Sequence, residues 1–438
     1  FIGESRNRRN TGLLNRLWMR LYGSSMPSKL ITQVNCTLQK DSYLSDRFFD
    51  LRMGIKLDED RWAAEANANY KMETLMRHSI FDFKMDVNDI WLKREDLSPV
   101  RSYKLRGAFN AMRKVPDQKQ FVCASAGKHA QGVAFMCRHV GGRGVVFMPV
   151  TTPQQKIQKT RIFGGENVEI RLVGDYFDDT LASAQTYCKE QSAHFLSPFD
   201  DDDVIEGQAS VAVEVEAQLG RTPDHIILPV GGGGLSAGTR SYFADACAFT
   251  FVEPTGAPSL KRALEAGQPV DISPIDSFVD GAAVAKIGVR NFECLKDVDQ
   301  SDIIDLSEDR ICVSIIEMLN VEGIVLEPAG ALSIEALGEV ADQIKGKTVV
   351  CVVSGGNFDF ERLPEVKERA QRYSGVKKYF ILRMPQRPGA LKEFLSFLGP
   401  DDDISRFEYL KKSARNFGSV LIGIETKRPE NFAPLFAQ

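Results

Sequence analysis

From residue 89 onward this 438-residue chain alternates short apolar runs with stretches of helical spacing, and that alternation narrows the fold more than any other feature. The runs lie at 89–93, 120–123, 144–148, 167–172, 225–230, 249–252 and 348–353 and are rich in Val, Ile, Phe and Cys. Unbroken apolar runs of this length suit strands covered on both faces, the habit of parallel sheets. The helical stretches between them supply the crossovers. The expected class is therefore α/β, with a mostly parallel sheet flanked by helices. Ligands in such sheets bind beyond the carboxyl ends of the strands, so function is to be read in the loops there.

The first loop follows Trp91-Leu92-Lys93-Arg94-Glu95-Asp96, a strand running into charge, and leads to Ser102-Tyr103-Lys104-Leu105-Arg106-Gly107-Ala108. Leu105, Ala108, Phe109 and Met112 fall at helical spacing, which places Lys104 at or just before a helix N-terminus. A cation gains nothing from the helix dipole at that end. An amine desolvated there loses pKa and becomes a candidate nucleophile or Schiff-base former. A lone lysine in this setting is more often a surface residue, so the reading depends on the other loops.

After 120–123 comes Ala124-Ser125-Ala126-Gly127-Lys128-His129-Ala130-Gln131-Gly132, whose small residues before a helix suit a carboxylate. After 225–230 come Gly231, Gly232, Gly233 and Gly234, then a helix from Leu235, leaving successive amides free to converge on a phosphate. That loop has several possible owners. Gly232-x-Gly234-x-x-Ala237 with Glu253 beyond it fits a dinucleotide site. Gly234-Leu235-Ser236-Ala237-Gly238 fits a hydrolase elbow, which needs a later histidine, and none follows His225. The last run leads to Ser354-Gly355-Gly356-Asn357, where Ser354 either meets a ligand ring atom or closes a turn.

The formal charge of −4 gives no electrostatic reason to expect nucleic acid or an anionic membrane as partner. No run approaches the length of a membrane span. Eight cysteines without Cys-x-x-Cys, mostly within apolar runs, read as free core thiols of a reducing compartment. Five histidines show no ligand spacing, and no metal site is expected. Residues 1–31 form a basic extension, with Arg6, Arg8, Arg9, Arg16, Arg20 and Lys29 against Glu4, and read as disordered. A transit peptide is the other reading. An amphipathic helix is expected near residues 60–76. Beyond Gly375 the order strand, helix, strand, strand, helix reads as a ferredoxin-like unit stopping before its last strand. Asp401, Asp402 and Asp403 read as a solvated turn.

Taken together, the Lys104, Ser125 to Gly132, glycine-loop and Ser354 stretches resemble the fold-type II pyridoxal-phosphate enzymes, and within them the biosynthetic threonine ammonia-lyases (threonine dehydratases). Asp280-Gly281-Ala282-Ala283-Val284 and Glu327-Pro328-Ala329-Gly330-Ala331-Leu332 are similar to further stretches of that family. The resemblance implies two lobes of mostly parallel sheet with flanking helices, assigned to residues 32–374, and an ACT-like regulatory domain at 375–438. It implies pyridoxal 5'-phosphate as cofactor, L-threonine as substrate with L-serine weaker, isoleucine as effector, a homotetramer and a cytoplasmic setting.

By the same resemblance Lys104 binds the cofactor covalently and moves the substrate α-proton, while Tyr103 lies against the pyridine ring. Gly231, Gly232, Gly233 and Gly234 hold the phosphate with Leu235 closing the loop. Ser125, Gly127 and His129 belong to the carboxylate loop, and Ser354 meets the pyridine nitrogen. Three departures stand out. Lys128 replaces an asparagine that hydrogen-bonds the cofactor phenolic oxygen, and lysine is longer, charged and donor-only. It is expected to pair with the phenolate, to crowd the ring and impair catalysis, or to turn to solvent. Ala209 replaces a glycine, and the usual Thr-Pro-Leu segment is missing at 76–83. A weakly active homologue that only binds cofactor and effector, a racemase and a β-replacement enzyme stay open, as does a nicotinamide oxidoreductase using Glu253.

Overall fold

The computed structural model describes residues 89–410 and 417–437. The basic extension, the expected helix near 60–76 and the 76–83 segment lie outside the described residues. The first part runs β1 (Asp89–Arg94), α1 (Lys104–Arg113), β2 (Gln120–Ala124), α2 (Lys128–Val140), β3 (Arg143–Met148), α3 (Gln154–Gly164), β4 (Val168–Leu172), α4 (Phe177–Glu190) and β5 (His194–Phe195). Then follow α5 (Asp202–Leu219), β6 (His225–Pro229), α6 (Gly234–Phe243), β7 (Ala248–Pro254), α7 (Ser259–Ala266), α8 (Val289–Leu295) and β8 (Ile303–Leu306). Last come α9 (Glu308–Val321), α10 (Pro328–Glu335), α11 (Leu337–Val340), β9 (Thr348–Val353) and α12 (Leu363–Tyr373).

These strands form two sheets. One has the order β1-β9-β6-β7-β8 and the other β4-β3-β2-β5, and every pairing in both is parallel. The chain starts the larger sheet with β1, leaves to build the smaller one, and returns. All six residues of β9 are buried, because both of its faces are covered. Val349, Cys351 and Val353 join Ile90 and Leu92 in one core, while Val350 and Val352 join Ile226 and Leu228 in the other. The period of two along the strand sends alternate side chains to opposite layers. Burial of each such aliphatic side chain contributes about 1.5–3 kcal/mol.

The seven expected runs all become strands whose ends differ by one or two residues. Two strands were not legible: β5 has only His194 and Phe195, and β8 carries Asp305 inside it. Local chemistry sets the helix ends. The Asp201 carboxylate accepts the Asp203 and Val204 amides ahead of α5, and Gly220, at φ 69°, closes it.

The C-terminal unit follows the expected order: β10 (Lys377–Pro385), α13 (Ala390–Leu395), β11 (Asp403–Leu410), β12 (Phe417–Glu425) and α14 (Ala433–Phe436), in an antiparallel sheet β10-β12-β11. Val420, Ile422 and Ile424 face inward, and Phe432 packs with the last two. Asp402 accepts the Gly399 amide within the turn, and Asp401 pairs with Lys427 just beyond β12. Among the described residues no helix is long and apolar enough to cross a membrane. Six of the seven described cysteines are buried and Cys294 is exposed, all as free thiols.

Candidate cofactor and substrate site

Lys104 is the first residue of α1, at the carboxyl end of the larger sheet, where the Tyr103 amide donates to Ser354 O at 3.4 Å. Its Nζ donates to Pro198 O at 2.8 Å and lies 5.4 Å from the Tyr103 ring centroid and 5.7 Å from that of Phe199. Burial first, and the Lys128 cation second, pull its pKa down to about 7 against the opposing pull of Glu327. A neutral amine is thus available at ordinary pH. Burial also pushes the Tyr103 phenol up, so the ring next to the amine carries no charge.

The glycine loop lies on the other side of Phe199. Gly233, at φ 93°, caps the start of α6, a backbone conformation that suits glycine. A Cβ on Gly232 would be driven into the Phe199 ring. Asn291 fixes the loop from α8, its Nδ2 donating to Gly232 O at 2.6 Å and to Phe199 O at 3.2 Å. Leu235 is buried directly behind the loop. Phe199 therefore touches both the amine and the cradle, and Asn291 holds both Phe199 and the cradle.

Ser125 Oγ accepts the Gly127 amide at 3.1 Å and shapes the turn into α2. His129 is buried with Nε2 at 2.9 Å from Leu196 O. Burial first and the Lys104 charge second push its pKa down to about 4. A carbonyl only accepts, so the neutral ring carries its proton on Nε2. Ser354 Oγ donates to Ala329 O at 3.2 Å, and the Ser354-Gly355-Gly356 turn packs on the start of α10. Lys128 does not turn to solvent. Its Nζ pairs with Glu327 Oε1 at 2.6 Å, and burial pushes the Glu327 carboxyl up while Lys128 pulls it down.

Two other readings of the glycine loop find no support in the geometry. Ser236 is buried and its Oγ donates to Pro229 O at 3.4 Å, so it is no exposed nucleophile. Glu253 is fully buried and accepts the Leu260 and Lys261 amides at 2.7 and 2.9 Å, which ties it to the first turn of α7 instead of to a ribose.

Residues 74–355, more than half of the chain, match the family model described as pyridoxal-phosphate dependent enzyme, and 368–438 match the C-terminal regulatory domain of threonine dehydratase. The L-threonine dehydratase biosynthetic IlvA of Bacillus subtilis (strain 168) is 48% identical over 354 residues, 79% of this chain and 84% of that protein. The chain belongs to this threonine dehydratase family. The protein of the same name from Staphylococcus aureus (strain NCTC 8325 / PS 47) is 46% identical over 357 residues, 79% of this chain and 84% of that protein. Among solved structures, the processed form of threonine deaminase isoform 2 from Solanum lycopersicum superposes with a TM-score of 0.63 at 32% identity, covering 73% of this chain and 95% of that one. The T.th. threonine deaminase superposes with a TM-score of 0.61 at 30% identity, covering 70% of this chain and 99% of that one.

The residues present fit the cofactor of this family. A side-chain-free cradle at a helix N-terminus suits a phosphate, and a neutral buried amine suits carbonyl attack. Phe199 and Asn291 are neighbours of the site that sequence reasoning missed, and Glu327 was named there only as part of a family stretch, without a role. Only Glu327 carried a signal, as the residue before a proline that opens a helix. Gly232→Ala is expected to weaken pyridoxal phosphate binding about 10–100-fold, since crowding at a tight contact costs about 1–3 kcal/mol. Titration of the purified protein with the cofactor, followed by absorbance, reads this directly.

Proposed function

We propose that this protein deaminates L-threonine to 2-oxobutanoate and ammonia in isoleucine biosynthesis, with L-serine as a weaker substrate. The reading is supported by the contacts that link the Lys104 amine to the glycine cradle through Phe199 and the start of α1 to Ser354 through the Tyr103 amide. Pyridoxal phosphate, when bound, supplies an electron sink that acidifies the substrate α-proton.

The chain's residues supply the rest. The amides of Gly231, Gly232, Gly233 and Gly234 bind the phosphate at the start of α6. Lys104 Nζ would hold the cofactor and would move the proton of the substrate Cα. The Ser125 to His129 turn offers amides at the start of α2 to the substrate carboxylate. Tyr103 borders the ring, and Leu235 backs the cradle. Ser354, on turning its hydroxyl from Ala329 O, would offer the ring nitrogen a neutral partner instead of a carboxylate that holds it protonated. His129, neutral and tied to Leu196, keeps the turn in register.

The C-terminal unit is a regulatory domain for an amino acid effector, with isoleucine the effector proposed here. The proposed domain division, 32–374 and 375–438, is supported by the glycine at φ 72° between α12 and β10. A homotetramer is the assembly proposed.

The test is 2-oxobutanoate release from L-threonine by the purified protein with pyridoxal phosphate, beside Lys128→Asn. Turnover by the parent is expected. A parent that takes up cofactor without turnover, rescued by Lys128→Asn, would leave a binding scaffold disabled at one residue. The low pKa of Lys104 sets the pH dependence of cofactor attachment. The amine is neutral above about 7, so attachment is expected to rise about tenfold from pH 6 to pH 8 and then level off. With an ordinary lysine the rise would continue beyond pH 9.

A further inference from the structure

We propose that Glu327 anchors Lys128 as a fixed positive charge beside Lys104, making the two of them positioning residues for the Lys104 amine. The pair joins the two lobes. Lys128 opens α2, which covers the smaller sheet, and Glu327 precedes α10, which packs on β9 of the larger one. The residues are 199 positions apart in sequence and meet at 2.6 Å.

Space is reserved for this contact. A Cβ on Gly281 would collide with Lys128 Nζ, and one on Gly355 would collide with Glu327 Oε1. Only 11% of the Lys128 side chain and 3% of that of Glu327 are exposed. Burying two ions costs several kcal/mol for each unless their geometry is good, so a lysine without a task here would turn outward.

Gly132, one turn beyond Lys128 on α2, lies against the backbone of Lys104 and Leu105, and a like charge nearby disfavours the charged form of an amine. The Lys104 pKa of about 7 reflects burial first and Lys128 second, with Glu327 opposing. The other titratable groups facing this amine are Tyr103 from α1 and His129 from α2, both held neutral by burial. Behind the pair, Asp280 is matched by Lys156 of α3 at 2.7 Å. Lys128 is therefore the cation that acts on Lys104, and Glu327 fixes where it acts from.

The test is competitive acylation of lysine amines in the full chain freed of pyridoxal phosphate, so that the Lys104 amine is unblocked, across the neutral and alkaline range, with the Lys104 peptide read by mass spectrometry. Lys128→Met should raise the Lys104 pKa by about one unit or more, since it removes the cation that disfavours the charged amine. Lys128→Arg keeps the charge and should leave the titration near about 7. Lys128→Met combined with Glu327→Gln should give a smaller rise. The double variant buries no lone charge, so it serves if the single one does not fold. An unchanged Lys104 titration in the single variant, or in the double variant where only that one folds, overturns the proposal.

The inference rests on reading Lys104 as the cofactor lysine, yet the titration needs no turnover. Shifted titrations without 2-oxobutanoate release would sink the proposed reaction and leave the pair standing. Turnover with unshifted titrations would do the reverse.

Discussion

Lys104→Ala is expected to lower 2-oxobutanoate release from L-threonine at least about 10³-fold, because the proposed reaction uses one atom, Nζ, both as the covalent anchor and as the proton carrier. A positioned acid–base group alone contributes about 10²–10⁴-fold, and loss of the covalent step adds to that. The fold should survive. Lys104 is the first residue of α1, its amine makes one hydrogen bond, to Pro198 O, and alanine is a strong helix former. The glycine cradle is untouched, so the variant should still bind pyridoxal phosphate but without the absorbance change of a lysine adduct. Lys104→Arg is a stricter control. It keeps a long basic side chain in place but remains protonated at every working pH, so it offers no nucleophile. Circular dichroism, cofactor absorbance and turnover measured together separate these effects. Turnover within tenfold of the parent in Lys104→Ala would remove this lysine from the reaction.

The elements that positioned these groups were legible for different reasons. β9 declared itself because both of its faces are buried, so six apolar residues in a row had no other use. β5 did not, since a two-residue strand at a sheet edge needs no apolar run. Lys104, the glycine loop and Ser354 could be flagged as candidates because each follows a strand of the larger sheet, but local chemistry alone left a surface lysine and a turn serine open, and their roles came from the family resemblance. Asn291 could not. Its task is to donate to Gly232 O, 59 residues away in sequence, and nothing around it advertises that partner. Phe199 is likewise visible only where it meets Gly232 and Lys104. Lys128 shows the limit most clearly. As a cation in a turn of small residues it could be flagged, but whether it met the cofactor, the solvent or an acid depended on Glu327, in the other lobe.

A second large effect is expected two residues beyond Lys104. Arg106 is buried in the first turn of α1 and donates Nε and Nη2 to both oxygens of Glu95, each at 2.8 Å. From the same guanidinium, Nη1 and Nη2 reach the Glu214 carboxylate of α5 at 2.9 and 2.6 Å. Lys93 of β1 adds a pair to Glu214 at 2.6 Å, so two cations balance two anions in a closed cluster. The cluster ties β1, α1 and α5 together and so fixes the helix that carries Lys104. Arg106→Met removes one cation and leaves two buried carboxylates facing one lysine. Breaking a buried pair in this way costs about 3–5 kcal/mol. Arg106→Lys should recover only part of it, because an ammonium cannot reproduce the forked contact with two carboxylates.

The pH dependence of this cluster has a definite sign. Burial pushes the Glu95 carboxyl up, but Arg106 and Lys93 outweigh it and hold the group below its ordinary value. The cluster's contribution is therefore present above the unfolded carboxylate pKa and is lost as the pH falls through the lower, folded one. Urea unfolding at neutral pH should show the catalytic domain of Arg106→Met destabilised by about 3–5 kcal/mol, and the gap to the parent should narrow as the solution is made acid. An equal gap at all pH values would mean that Arg106 acts through packing of its aliphatic stem instead of through its charge.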